Sequence, residues 1–142
     1  MKAILKVAFC TFSIFAFFGC QNDDYSKNNN VDKELNGVWN LDKTYGFYPD
    51  QAFIQHEKGK VIWEFNTSTN KLSVVNHVDE TAGIVTGNYD FYTSKEKLND
   101  KIEYKILYVE NKKQGDFYKI AGDSLVINYG SDLDGYILVF KK

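Results

Sequence analysis

The sequence predicts an all-β domain, a small antiparallel meander of about eight short strands closed as a barrel or sandwich, with the barrel the better fit. Three observations carry this. From about Val31 onward apolar and polar residues alternate with period two. The alternating runs are short and recur every 8 to 15 residues or so. Between them lie clusters of Gly, Asn, Asp and Ser, the residues of turn chemistry.

Residues 1–19 stand apart from that pattern. Lys2 and Lys6 make a positive start, and an apolar run from Val7 to Phe18 follows, broken only by Cys10, Thr11 and Ser13. A run of about 12 residues is too short to cross ~30 Å of hydrocarbon but suits the apolar region of a signal peptide. It is therefore set aside from the fold; the rival reading is a buried helix of the domain. Phe17, Phe18, Gly19 and Cys20 resemble a lipobox, where cleavage before the cysteine leaves an acylated first residue. Gly19 and Cys20 match its two most restrictive positions, whereas two phenylalanines replace the usual leucine and small residue. The resemblance implies a lipoprotein bound to the membrane through diacylglyceryl and palmitate-type chains on Cys20, since two or three acyl chains hold a protein stably.

Residues 20–30, rich in Asn and Asp, read as a flexible polar tether behind the lipidated cysteine. Asp23 and Asp24 are similar to the tag that sends lipoproteins of some Gram-negative bacteria to the outer face of the outer membrane. The expectation is a lipid-anchored protein of that membrane, on either its periplasmic or its surface side. With Cys10 and Cys20 accounted for, the mature domain has no thiol for a disulfide, zinc site or nucleophile.

The domain proper spans residues 31–142. Val31 to Asn36 reads as one short helical turn with Asp32 as its cap. Strands are expected near Gly37 to Tyr45 and Ala52 to Gln55, with Pro49 between them. Val61, Trp63 and Phe65 share one face, the polar turn Asn66 to Asn70 follows, and Leu72 and Val74 resume the alternation as a hairpin. Further strands are expected at Thr86 to Thr93, at Lys101 to Val109 as the longest, and at Asp116 to Ile120, Ser124 to Tyr129 and Tyr136 to Phe140. The interior residues on this reading are Trp39, Trp63, Phe65, Tyr89, Phe91, Tyr104, Ile106, Leu125, Ile127, Leu138 and Phe140. Closure removes the two exposed edges of an open meander, so a monomer is expected.

Leu35, Gly37 and Trp39 give Leu-x-Gly-x-Trp, which resembles the Gly-x-Trp strand that opens lipocalin and lipocalin-like barrels. Trp63-Glu64-Phe65, Gly87-Asn88-Tyr89, Tyr104 with Ile106, Asp123 to Ile127, and Phe140-Lys141 are similar to the small lipocalin-like domain of bacterial lipoproteins. The resemblance covers about Leu35 to Lys142 and implies a β-barrel with Trp39 plugging its closed end. The chain lacks the Thr-Asp-Tyr segment, the disulfide and the late arginine of larger lipocalins, so ligand binding does not follow from it.

The function classes narrow by chemistry. The net charge is −2 and no arginine is present, which excludes a clustered basic face for nucleic acid. His56 and His77, with neighbours Glu57, Asp79 and Glu80, do not assemble a third metal ligand and read as loop or strand-end residues. Asp132 and Asp134 flank Leu133 in a polar turn that lacks the later ligands of a calcium loop. No serine motif with base and oxyanion site is present, so no enzyme and no cofactor is expected. Two readings stay open: a binding module for a small hydrophobic ligand at the cell envelope, or a filled barrel whose loops, Tyr45 to Gln51 and Thr93 to Lys101, engage or inhibit another protein.

Overall fold

The computed structural model describes residues 31–46, 53–78, 83–130 and 135–142; residues 1–30 with the expected signal peptide, Cys20 and the expected tether, and also Pro49, Asp79, Glu80, Asp132 and Asp134, lie outside them. The fold is a closed antiparallel β-barrel with one 3-10 turn, Lys33–Leu35. Its strands are β1 (Gly37–Gly46), β2 (Ile54–Gln55), β3 (Val61–Asn66), β4 (Lys71–Asn76), β5 (Gly87–Asn99), β6 (Ile102–Val109), β7 (Lys112–Ala121), β8 (Ser124–Asn128) and β9 (Tyr136–Lys141). Each strand from β3 to β9 pairs with the next, and β1 joins β3 through Gly37–Asn40 and β9 through Asn40–Gly46, which closes eight strands into a ring. The short β2 lies against Lys43 and Thr44 of β1, above the end of β3.

Alternation fixes which side chains enter. Trp39 and Leu41 of β1, Val61, Trp63 and Phe65 of β3, Leu72 and Val74 of β4, Leu125 and Ile127 of β8, and Leu138 and Phe140 of β9 are all buried in one cluster. Ring contacts run across the interior from β5 to β9: Phe91 on Phe65 at 5.0 Å, Phe65 on Trp63 at 6.0 Å and Trp63 on Phe140 at 4.9 Å between centroids. In a barrel of about eight strands the interior is only wide enough for side chains or one small ligand, and here aromatic rings occupy it.

Two sequence expectations change. Strand β6 presents Leu107 and Val109 to the core, opposite Thr93 and Phe91, so Tyr104 and Ile106 lie on the outer face. The run Ile-Glu-Tyr-Lys-Ile-Leu-Tyr-Val offers apolar residues in both phases, and a one-residue shift exchanges the faces. Ile106 is nonetheless buried: its neighbours Tyr104 and Tyr108 stack on Phe117 and Tyr92 and form a small aromatic layer outside the barrel. The longest strand is β5, of 13 residues against the 8 of β6. It absorbs the stretch expected to be a loop from Thr93 to Lys101.

Gly115 marks an irregularity between β6 and β7, where Lys105 faces Tyr118 but Leu107 already faces Gln114. It adopts φ +73°, and a Cβ there would run into the carbonyl oxygen of Asn128. Only glycine satisfies both the left-handed backbone and the close approach of β8.

Candidate functional site

The two ends of the barrel are sealed by different means. At one end the chain after β4 folds back over the core, with Ile84 packed against it. Gly83 passes so close that a Cβ would lie 3.2 Å from Leu138 Cδ1 and 3.3 Å from Trp63 Cζ2. Asn76 Nδ2 donates to the Ile84 carbonyl at 3.1 Å, the Asn76 N–H donates to Thr86 Oγ1 at 2.8 Å, and Tyr89 Oη donates to the Val85 carbonyl at 2.9 Å. Beneath this cover the indole N–H of Trp63 is buried with no hydrogen-bond partner. His56 reaches the same end, half-buried, with Nε2 2.9 Å from Thr44 Oγ1, and so is more enclosed than the loop residue expected from sequence; His77 is exposed.

At the opposite end the 3-10 turn does the sealing. Asp32 caps it, its carboxylate accepting the Glu34 N–H at 3.1 Å. Leu35 is fully buried and its carbonyl accepts the Trp39 indole N–H at 2.7 Å, so the tryptophan plug expected here is tied to the turn that covers it. Lys142 places its ammonium 4.6 Å from the Trp39 ring centroid.

Beside the turn, the β5–β6 hairpin extends past the rest of the sheet. Strand β5 pairs with β4 only as far as Asp90, and beyond Phe91 it pairs with β6 alone. The inner face of this projection carries Thr93, Lys95 and Lys105, which with Val31, Asp32, Lys33, Glu34, Ser94 and Tyr118 line a cleft of about 670 Å³. Its centre is the Asp32 carboxylate. Oδ2 accepts from Lys105 Nζ at 2.8 Å and from Tyr118 Oη at 2.9 Å, while the Asp32 N–H donates to Thr93 Oγ1 at 3.0 Å. Lys105 also reaches Glu34 Oε2 at 3.0 Å. Ser94 Oγ, on the outer face of the hairpin opposite Ile106, is buried with no partner.

The electrostatics of this cluster oppose proton transfer. Burial raises the Asp32 pKa, but hydrogen bonds from Lys105, from the Glu34 N–H and from Tyr118 outweigh it and hold the carboxyl below its usual range. Lys105 is held above the usual lysine value, chiefly by its hydrogen bond to Asp32. Burial, then the negative charge of Asp32, pushes the Tyr118 phenol far up. At neutral pH the cluster is therefore a carboxylate, an ammonium and a neutral phenol. A saturated carboxylate is a poor base and a protonated lysine is no nucleophile. Among the described residues no three His, Cys, Asp or Glu side chains converge on a metal position, and no helix is long and apolar enough to cross a membrane.

Of the residues singled out from sequence, Trp39, Trp63, Phe65, Phe91, Leu125, Ile127, Leu138 and Phe140 meet in the core, and Tyr89 packs on its edge. Tyr104 and Ile106 do not join them. Cys20 lies outside the described residues. The sequence does not announce the cleft: Asp32 reads as a cap, and Lys105 and Tyr118 lie inside expected strands with nothing to single them out. The signal available was the double apolar phase of β6, which admits a register with Lys105 turned inward.

Comparison with protein-family models, with curated proteins and with solved structures gives no match to this chain.

Proposed function

We propose that the protein is a lipid-anchored lipoprotein of the Gram-negative outer membrane whose lipocalin-like barrel is a filled scaffold, and that its non-enzymatic binding is done in the cleft beside the N-terminal turn. The observation that carries the second half is the run of touching rings from Phe91 to Phe140, which takes up the space a hydrophobic ligand would need. The cleft, at about 670 Å³, falls within the 300 to 1,000 Å³ range of small-molecule sites. The charged residues in its lining, Asp32, Glu34, Lys95 and Lys105 among them, favour a charged ligand over the small hydrophobic one the sequence suggests. Support for the anchor is the order of apolar run, Gly19, Cys20 and polar tether.

Two measurements test the reading. Palmitate labelling of the full chain in a Gram-negative host should mark the protein and vanish in Cys20→Ser; labelling that survives the substitution removes the anchor. A ligand panel read by melting temperature and by backbone amide shifts should perturb residues 93–95 and 105. Binding that perturbs Gly83–Thr86 instead would move the site to the other end. A second reading, an interaction module, is favoured by the exposed Tyr45, Phe53 and Ile54, where Tyr45 and Phe53 touch at 5.6 Å and Lys43 sits 5.0 Å from the Phe53 ring centroid.

A further inference from the structure

Lys95 and Lys105 stand directly opposite each other on the inner face of the β5–β6 hairpin, and both line the cleft. Opposed residues on one face have Cβ atoms about 5 Å apart, and like charges so placed repel. Lys105 answers with Asp32 and Glu34, and Lys95 with Glu103 at 2.9 Å. These counter-charges are not equivalent. The Asp32 side chain is 15% exposed and fixed by two further hydrogen-bonding partners, the Glu34 N–H and Tyr118 Oη, whereas Glu34 is 64% exposed and held by Lys105 alone. Exposed ion pairs of that kind contribute little and exchange readily.

Lys33 also lines the cleft, and the three lysines stand against the carboxylates of Asp32, Glu34 and Glu103, of which only Asp32 is well shielded from water. Resting on the reading that the cleft is the binding face, we propose that it takes an anionic phosphate group, seated between Lys95 and Lys105, and that Glu34 is the intramolecular carboxylate this group displaces. Both a free phosphate compound and a phospholipid headgroup offer that chemistry. Val31, the first described residue, lines the cleft, and only eleven positions separate it from Cys20.

The test uses the full chain in neutral detergent micelles, titrated with inorganic phosphate, with glycerol phosphate and with short-chain phosphatidylglycerol, against short-chain phosphatidylcholine, and read at the amides of residues 94, 95 and 105. Saturation by the soluble phosphates assigns a free ligand; saturation by phosphatidylglycerol alone assigns a headgroup. Either supports the proposal, provided Lys95→Gln weakens binding about tenfold and Glu34→Gln tightens it severalfold. Glu96→Gln, the same charge change on the hairpin's outer face, should leave affinity unchanged, and an equal gain there reduces the effect to net charge and overturns the seat. No shift with any phosphate also overturns it. Cleft binding of an uncharged ligand, indifferent to Lys95→Gln, sinks the phosphate seat while leaving the binding face intact; ligand shifts confined to Gly83–Thr86 sink both.

Discussion

Two tryptophans, each with no exposed surface, differ in one respect: the Trp39 indole N–H has a partner and the Trp63 N–H has none. Replacing each by phenylalanine makes the same truncation at both sites and so separates the hydrogen bond from the packing. The loss of ring volume in a close-packed core costs about 1 to 2 kcal/mol in either case. Trp39→Phe additionally breaks the 2.7 Å bond and strands the Leu35 carbonyl in a buried place, which adds about 1 to 3 kcal/mol. Trp63→Phe removes an unsatisfied donor and recovers about the same amount. The expected outcome is a loss of about 3 kcal/mol for Trp39→Phe and of at most about 1 kcal/mol for Trp63→Phe. For a domain of this size each kcal/mol moves the melting temperature by about 4 °C, so the two variants should melt about 8 °C or more apart. Thermal unfolding of the full chain in micelles, followed by far-ultraviolet circular dichroism, reads this directly. Because the chain has only these two tryptophans, the fluorescence of each variant also reports the ring that remains. Equal losses at the two positions would refute the assignment of Trp63 as an orphan donor and the seal that Trp39 makes with the turn.

Gly115→Ala should cost more than 2 kcal/mol, read as an early urea midpoint, because the added carbon meets Asn128 and the backbone sits at φ +73°. Asp32→Ala should cost about 2 to 3 kcal/mol in the same assay, since it leaves Tyr118 Oη and Lys105 without their shared acceptor. The pH profile follows in sign from the same groups. Asp32 is lower in the folded than in the unfolded state, so its contribution is full above about pH 4 and is lost as pH falls further. Lys105 and Tyr118 are raised, so theirs is full below about pH 10 and lost as pH rises beyond it. Melting temperature should therefore be flat between these limits and fall outside them, and Asp32→Asn should flatten the acid limb. Asp123 and Glu103, lowered by Lys141 and Lys95, are surface groups and should leave most of that limb unchanged.

The barrel was legible wherever one phase of the alternation was apolar and the other polar. Val-Ile-Trp-Glu-Phe-Asn of β3 went to its faces as expected, and Tyr-Ile-Leu-Val-Phe-Lys of β9 did so although both its phases are apolar, because Phe140 takes its place against Trp63. Strand β6 did not, because both of its phases are apolar and an outer aromatic layer takes one of them. The far half of β5, Ser-Lys-Glu-Lys-Leu-Asn, carries almost no alternation since it pairs only with β6 and covers no core, so nothing in its pattern distinguishes strand from loop. The cleft was illegible for a further reason. Asp32 meets Lys105 and Tyr118 across 73 and 86 residues, a distance over which local pattern says nothing.

The asymmetry between the two seals bears on what the cleft is for. Ile84 and the close pass of Gly83 over Leu138 and Trp63 close one end largely by apolar packing. At the other end apolar packing, with Leu35 fully buried over the core, is joined by Asp32, Lys105 and Tyr118. Replacing a buried ion pair by apolar residues of similar volume is commonly neutral or stabilising, so sealing alone gives no reason for this charged set. The charges are better explained by the hairpin they organise: Asp32 holds Lys105 at the inner face, Lys105 sits opposite Lys95, and the projection of β5 and β6 beyond the barrel places both in a cleft. An Asp32→Asn, Lys105→Met double variant separates the two roles. It should keep the fold and its melting temperature to within about 1 kcal/mol while abolishing phosphate binding; unfolding of the double variant would mean that the cluster exists for the seal.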